Sequence, residues 1–235
     1  MPANFQLFGP VHLAILASVP LAAALLAWIQ RRLAPGARWL RIALAGLVAA
    51  DTVLWYGNLS GHGRLSFPQS LPLELCDLSV FLIVIALLTL NALVFDVVYY
   101  TALAGAGMAL LTPNLWEPFP SLSTVQFFVN HGVEVMATLF LVWSGLSRPR
   151  PWSVARALLF VNGWAVVAGV FDAVFKTDYM YLCAKPANPS LLDLLGPWPW
   201  YIASSEGVGL VLFLLLYLPF RRSSRNAAPE KVLQP

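Results

Sequence analysis

Seven runs of apolar residues, each close to the length of a membrane crossing, divide the chain near residues 10–30, 38–59, 72–90, 92–112, 123–146, 153–175 and 198–220. A bilayer core takes about 20 helical residues per crossing. Strict alternation is absent within the runs, and turn-forming residues gather between them, as in Pro35-Gly36, Gly61-His62-Gly63, Pro118 to Pro120 and Pro149 to Pro151. Helices are therefore predicted rather than barrel strands. The first run is expected to persist as a helix and not to be cleaved, since Arg31 and Arg32 follow the apolar stretch instead of preceding it. The expected fold is an all-α polytopic membrane protein, a seven-transmembrane-helix bundle forming one domain over residues 1–220. Residues 221–235, polar and containing Pro229 and Pro235, are expected to be a disordered cytoplasmic tail.

Composition agrees with this pattern. Of 235 residues, 59% are hydrophobic and 11% charged, whereas soluble domains carry about 25% charged residues. The net charge of +3 is no nucleic-acid footprint, because the cations sort by loop. Arg31, Arg32, Arg38, Arg41, Arg148, Arg150, Arg156, Arg221, Arg222, Arg225 and Lys231 fall on one side, against Arg64, Lys176 and Lys185 on the other. The positive-inside rule then predicts an outer amino terminus and a cytoplasmic carboxyl terminus. Tryptophans such as Trp28, Trp143, Trp116 and Trp198 fall at the expected interfacial belts. A cell-membrane, multi-pass protein, in a bacterium an inner-membrane one, is the expected localisation. Two cysteines, Cys76 and Cys183, make no disulfide framework and no zinc site unaided, and no cofactor or metal is expected.

Seven carboxylates lie inside the runs: Asp51, Glu74, Asp77, Asp96, Glu134, Asp172 and Glu206. Each costs about 2.5–3.5 kcal/mol at mid-membrane, and by span depth no lysine or arginine is expected to reach them. All but Asp96 fall in the outer half, together with His12, Asn58, Cys76 and His131, which predicts one outward-opening polar cavity. His131 and Glu134, three residues apart, share a helix face on which Glu134 could orient the imidazole. Cys76 sits between Glu74 and Asp77 at a matching depth. A thiol, an imidazole and carboxylates are the membership of an acyl-transfer site. The bland alternatives are a small packing cysteine, an interhelical histidine, or a Cys76–Cys183 staple. Around the proline-rich sixth loop, Lys176, Tyr179, Tyr181 and Lys185 read either as interfacial anchors or, with Asn58 and Glu206, as contacts to an anionic lipid head group. Asn58, Ser204 and Ser205 are the candidate oxyanion donors.

The strings FGPVHL (8–13), LPLELCDLSVFL (71–82), FFVNH (127–131), YMYLCAKP (179–186) and PSLLDLLGPWPWY (189–201) together resemble the YwaF-like integral membrane proteins, bacterial relatives of the transmembrane protein 164 family. The resemblance covers the chain up to the tail. It implies that the eukaryotic relatives are acyltransferases that move fatty acyl chains between phospholipids with a cysteine and a histidine on two membrane helices. More distant relatives are lipid-ester hydrolases with threonine in place of the cysteine. On this likeness Cys76 is the nucleophile and His131 the base, with Asp77 or Glu134 orienting it. The family pattern leads to asparagine before Tyr-Met-Tyr, where this chain has Asp178.

Two functional readings follow. The first is a membrane enzyme performing acyl transfer or ester hydrolysis on a membrane lipid, its partner being that lipid and not nucleic acid. The second is a proton- or cation-coupled transporter using the acidic cavity. The residues set no oligomeric state.

Overall fold

A computed structural model of the chain describes residues 5–115, 117–188 and 190–221. The belt position expected of Trp116 and the tail expected from residue 222 onward lie outside those residues. The architecture is all-α: α1 (Pro10–Arg32), α2 (Trp39–Gly61), α3 (Leu75–Thr89), α4 (Ala92–Leu111), α5 (Leu122–Trp143), α6 (Ser153–Phe175) and α7 (Trp200–Tyr217). Six of the seven, all but α3, are long and apolar enough to cross a membrane, so the chain is a multi-pass membrane protein.

The exception is informative. A crossing was expected over 72–90, but α3 has 15 residues and so spans only about 22 Å. Its start is fixed by a reciprocal cap. Glu74 is the N-cap residue, its side chain taking the Asp77 backbone N–H, while Asp77 Oδ2 accepts the Glu74 N–H at 3.3 Å. The two acids thereby satisfy donors that a helix beginning in an apolar layer would leave bare. At its other end, Leu90 adopts a left-handed conformation and closes α3.

α4 holds a second local departure. Residues Thr101–Ala106 form a π-helical turn, in which the Gly107 N–H reaches back five residues to the Ala102 carbonyl. Apolar periodicity has no power to distinguish this wider turn from the α-helix on either side.

Packing places α4 and α5 at the centre. α5 lies against α1, α2, α3 and α4, while α4 lies against α3, α6 and α7. In the most apolar stretches, 56% of α4 and 50% of α5 residues are buried, against 11% of α6 and of α7. Side chains such as Leu21, Leu25, Val53, Leu54 and Leu159 point outward, as lipid contact requires. Apolar lipid gives no hydrophobic reward for helix association, so close approach and polar contacts must hold the bundle. Small residues serve the first need: Ala23 and Ala27 of α1 are buried, and a Cβ at Gly132 of α5 would come within 3.3 Å of Val19 Cγ2.

Asp96 of α4 serves the second need, and it corrects an expectation. Instead of lying beyond every base, its fully buried carboxylate pairs with Arg150 at 2.7 Å and Arg156 at 2.8 Å, and it also accepts the Arg150 backbone N–H at 3.0 Å. Arg150 belongs to the irregular Pro149–Pro151 segment, which folds back towards α4. Long guanidinium stems bridge the rest of the depth.

Candidate functional site

A cavity of about 150 Å³ opens between α2, α3 and α5 at the end of the bundle where α3 begins. Cys76 and Asp77 line it from α3, Thr52 and Tyr56 from α2, and Gln126, Asn130 and His131 from α5. Cys76 occupies the second position of α3, so the cap that shortens this helix also sets the thiol at the cavity wall. Both cysteines are free, which removes the Cys76–Cys183 staple. α3 packs on α5, and this adjacency brings the thiol and the imidazole, expected at matching depths, to one cavity. No hydrogen bond joins them among the described residues. A larger, more open hollow of about 630 Å³ lies at the opposite end, near Leu90, Phe95, Arg150 and Phe220, and no cysteine, histidine or carboxylate lines it among the described residues.

Hydrogen bonding separates the two buried histidines. His131 Nδ1 lies 2.8 Å from the Phe127 carbonyl oxygen, which can only accept, so Nδ1 carries a proton and, when the ring is neutral, Nε2 is an acceptor to which no described residue donates. The Phe127 ring backs the imidazole at a centroid distance of 4.3 Å. In contrast, His12 Nδ1 accepts the Phe8 N–H at 3.0 Å and its Nε2–H donates to the Leu110 carbonyl at 2.8 Å. Both ring nitrogens of His12 are engaged by backbone, which makes it a tie between α1 and α4.

Carboxylates do not orient His131 as expected. Glu134 is fully buried below the cavity, with both oxygens and the nearby Ser79 hydroxyl lacking a hydrogen bond of good geometry. Asp77 is engaged in the α3 cap. The imidazole is held by its own helix backbone, and the third carboxylate acts on different residues. Asp51 Oδ2 accepts from Gln126 Nε2 at 3.2 Å and from Asn130 Nδ2 at 3.1 Å, tying α2 to α5 beside His131.

The polar groups expected to share one cavity divide into separate clusters. Glu74 accepts the Met180 N–H at 2.9 Å, and buried Asp172 accepts the Tyr179 N–H at 2.9 Å and the Thr177 hydroxyl at 2.6 Å. Tyr179 in turn donates its hydroxyl to the Pro68 carbonyl at 2.7 Å and accepts the Leu71 N–H at 3.1 Å. Tyr181 accepts from Asn114 at 3.3 Å. These contacts bind the sixth loop to the segment before α3. Lys176 donates to the Ala173 carbonyl at 3.0 Å, and Lys185 stands 3.9 Å from Asp193 and 5.4 Å above the Tyr201 ring. Asn58 takes an Arg64 N–H at 3.2 Å, Ser205 donates to the Tyr201 carbonyl at 2.7 Å, and Glu206 takes an Asn162 N–H at 3.0 Å between α6 and α7. None of these lines the Cys76 cavity.

Asp172, Asp178 and Cys183 present ligand atoms within 4.8 Å of one another, a spacing compatible with a metal ion. Their lone pairs already serve the loop, Asp178 Oδ1 accepting the Cys183 N–H at 2.8 Å and the Ala184 N–H at 3.2 Å. Partial desolvation, with the Asp172 and Asp178 carboxylates nearby, pushes the Cys183 thiol up from its ordinary value.

Depth and residue type singled out Cys76 and His131, which the structure brings to one cavity. They missed Gln126 and Asn130, which lie four residues apart and so on one helix face; the polar pair flanking Phe127 and directly preceding His131 was the available signal. No curated protein and no solved structure matches the chain. A family match runs over residues 7–217, from before α1 to the end of α7, taking in every side chain that lines the cavity, and by it the chain belongs to the TMEM164 family.

Proposed function

We propose that the protein is a membrane enzyme that transfers or hydrolyses the acyl group of a lipid ester through Cys76 and His131. The observation that carries this reading is that His131, its Nδ1 held by backbone and its Nε2 without a partner among the described residues, lines the same cavity as a free thiol. No lysine or arginine lines the cavity among the described residues, so no fixed cation holds a standing thiolate there. The proton therefore leaves during attack: Nε2 takes it as Sγ bonds to the ester carbonyl carbon, and the departing alcohol recovers it from the imidazolium. A lipid alcohol or water then releases the acyl group by the same steps in reverse.

The loop-charge asymmetry supports a cavity facing away from the cytoplasm, within reach of the outer leaflet. A lipid enters from the bilayer, so the substrate class is an acyl ester already resident in the membrane. The test is labelling of the purified protein in detergent with an alkyl fluorophosphonate or an alkyl chloromethyl ketone. Label at Cys76 that is lost in Cys76→Ala, and reduced at least about 100-fold in His131→Ala, is expected. Undiminished labelling in both variants would remove the thiol mechanism and favour ion-coupled transport, to be followed by flux in vesicles.

A further inference from the structure

Building on the Cys76–His131 reading, we infer that Asn130 and Gln126 donate the hydrogen bonds that stabilise the ester oxyanion, and that Asp51 is the positioning residue that aims them. A carboxylate only accepts, so each amide turns one N–H to Asp51 Oδ2, at 3.2 Å for Gln126 and 3.1 Å for Asn130. Each NH₂ group is planar and keeps a second N–H roughly 120° away. No protein acceptor takes either second N–H among the described residues, and both side chains line the cavity with Cys76 and His131. The carboxylate fixes two amides that are otherwise free to rotate, and the low dielectric of the site raises the value of both donors. Asn58, Ser204 and Ser205, the donors expected from depth, are absent from that wall.

The step balances without another reactant. Sγ bonds to the carbonyl carbon, its proton passes to His131 Nε2, and the carbonyl π pair moves to the oxygen, where the two second N–H groups receive it. The pair then returns, the carbon–alkoxy bond breaks, and the alcohol departs with the proton from His131. The substrate class that fits is an oxygen ester whose carbonyl enters between α3 and α5.

Two reactions of one thiol test the assignment. Acylation by p-nitrophenyl decanoate in detergent micelles passes through an oxyanion, whereas alkylation of Cys76 by iodoacetamide does not. Peptide mass spectrometry resolves Cys76 from the exposed Cys183, whose alkylation serves as the internal standard. Asn130→Ala and Gln126→Ala are each expected to slow acylation about 100-fold through kcat, with Cys76 alkylation unchanged. Asp51→Leu should slow acylation about 10-fold, also with alkylation unchanged. Equal losses in both reactions would show that the amides only support the cavity. A rise in KM at constant kcat would mean ground-state recognition, and unchanged acylation would mean no role; each overturns the inference. His131→Ala separates the underlying reading from this one: it should slow both reactions, and if it slows neither, the base role fails and the inference falls with it.

Discussion

The two polar ends of the bundle differ in how completely their groups are partnered. Around Asp96, one buried carboxylate meets two guanidinium groups and a backbone N–H, and it ties α4 to α6. Around Cys76, one imidazole nitrogen and one N–H of each Asp51-held amide have no protein partner among the described residues, and all three groups line one cavity. A saturated polar cluster has nothing left to offer a ligand, while an unsaturated one retains capacity for chemistry at a cost in stability. Polarity inside a membrane therefore does not by itself mark the active end.

The sharpest test of this contrast is Asp96→Ala. It removes four hydrogen bonds to a charged group and should destabilise the fold by about 3–5 kcal/mol, measured by unfolding in mixed detergent micelles. A loss below about 1 kcal/mol would mean that the cluster is not structural. The histidines give the next effect. His12→Leu removes two backbone hydrogen bonds and should cost about 2–3 kcal/mol, whereas His131→Leu, which breaks one local bond, should cost less than about 1 kcal/mol while abolishing activity. Reversal of that order in melting experiments would dissolve the distinction between tie and base. The smallest effect is expected from Glu134→Met. Only the Ser79 hydroxyl lies near its carboxyl among the described residues, so an apolar side chain of similar volume should be neutral or stabilising by about 1 kcal/mol, and a large loss of stability would mean that the Glu134–Ser79 contact holds the core.

Hydropathy located all seven helices because lipid-facing surfaces demand long apolar runs whatever the interior contains. It overestimated α3 for the same reason: Pro72 and Leu73 are apolar enough to extend the run, yet the Glu74–Asp77 cap, a local hydrogen-bonded motif, ends the helix between them and Cys76. Rise per residue was sufficient to pair Cys76 with His131, since depth depends only on helix length. It failed for Glu206, which has a similar depth but belongs to α7, facing α6 and not the cavity. Which helices adjoin one another is not written in depth. The arginine pairing of Asp96 was hidden because the Pro149–Pro151 segment obeys no helical register, and side-chain reach adds several ångströms to any estimate made from Cα positions.

The hydrogen bond from His131 Nδ1 to the carbonyl four residues earlier on the same helix has a consequence for how this scaffold can diversify. In a triad, changing the orienting acid disarms the base, so the parts must change in concert. Here the proposed base is aimed by its own backbone, which no side-chain substitution elsewhere removes. On the proposed mechanism the nucleophile on the first turn of α3 is then an interchangeable part: serine or threonine placed at Cys76 would meet an imidazole already in the correct tautomer. Reaction preference can drift between thiol and hydroxyl chemistry by single replacements, with the rest of the machine left standing.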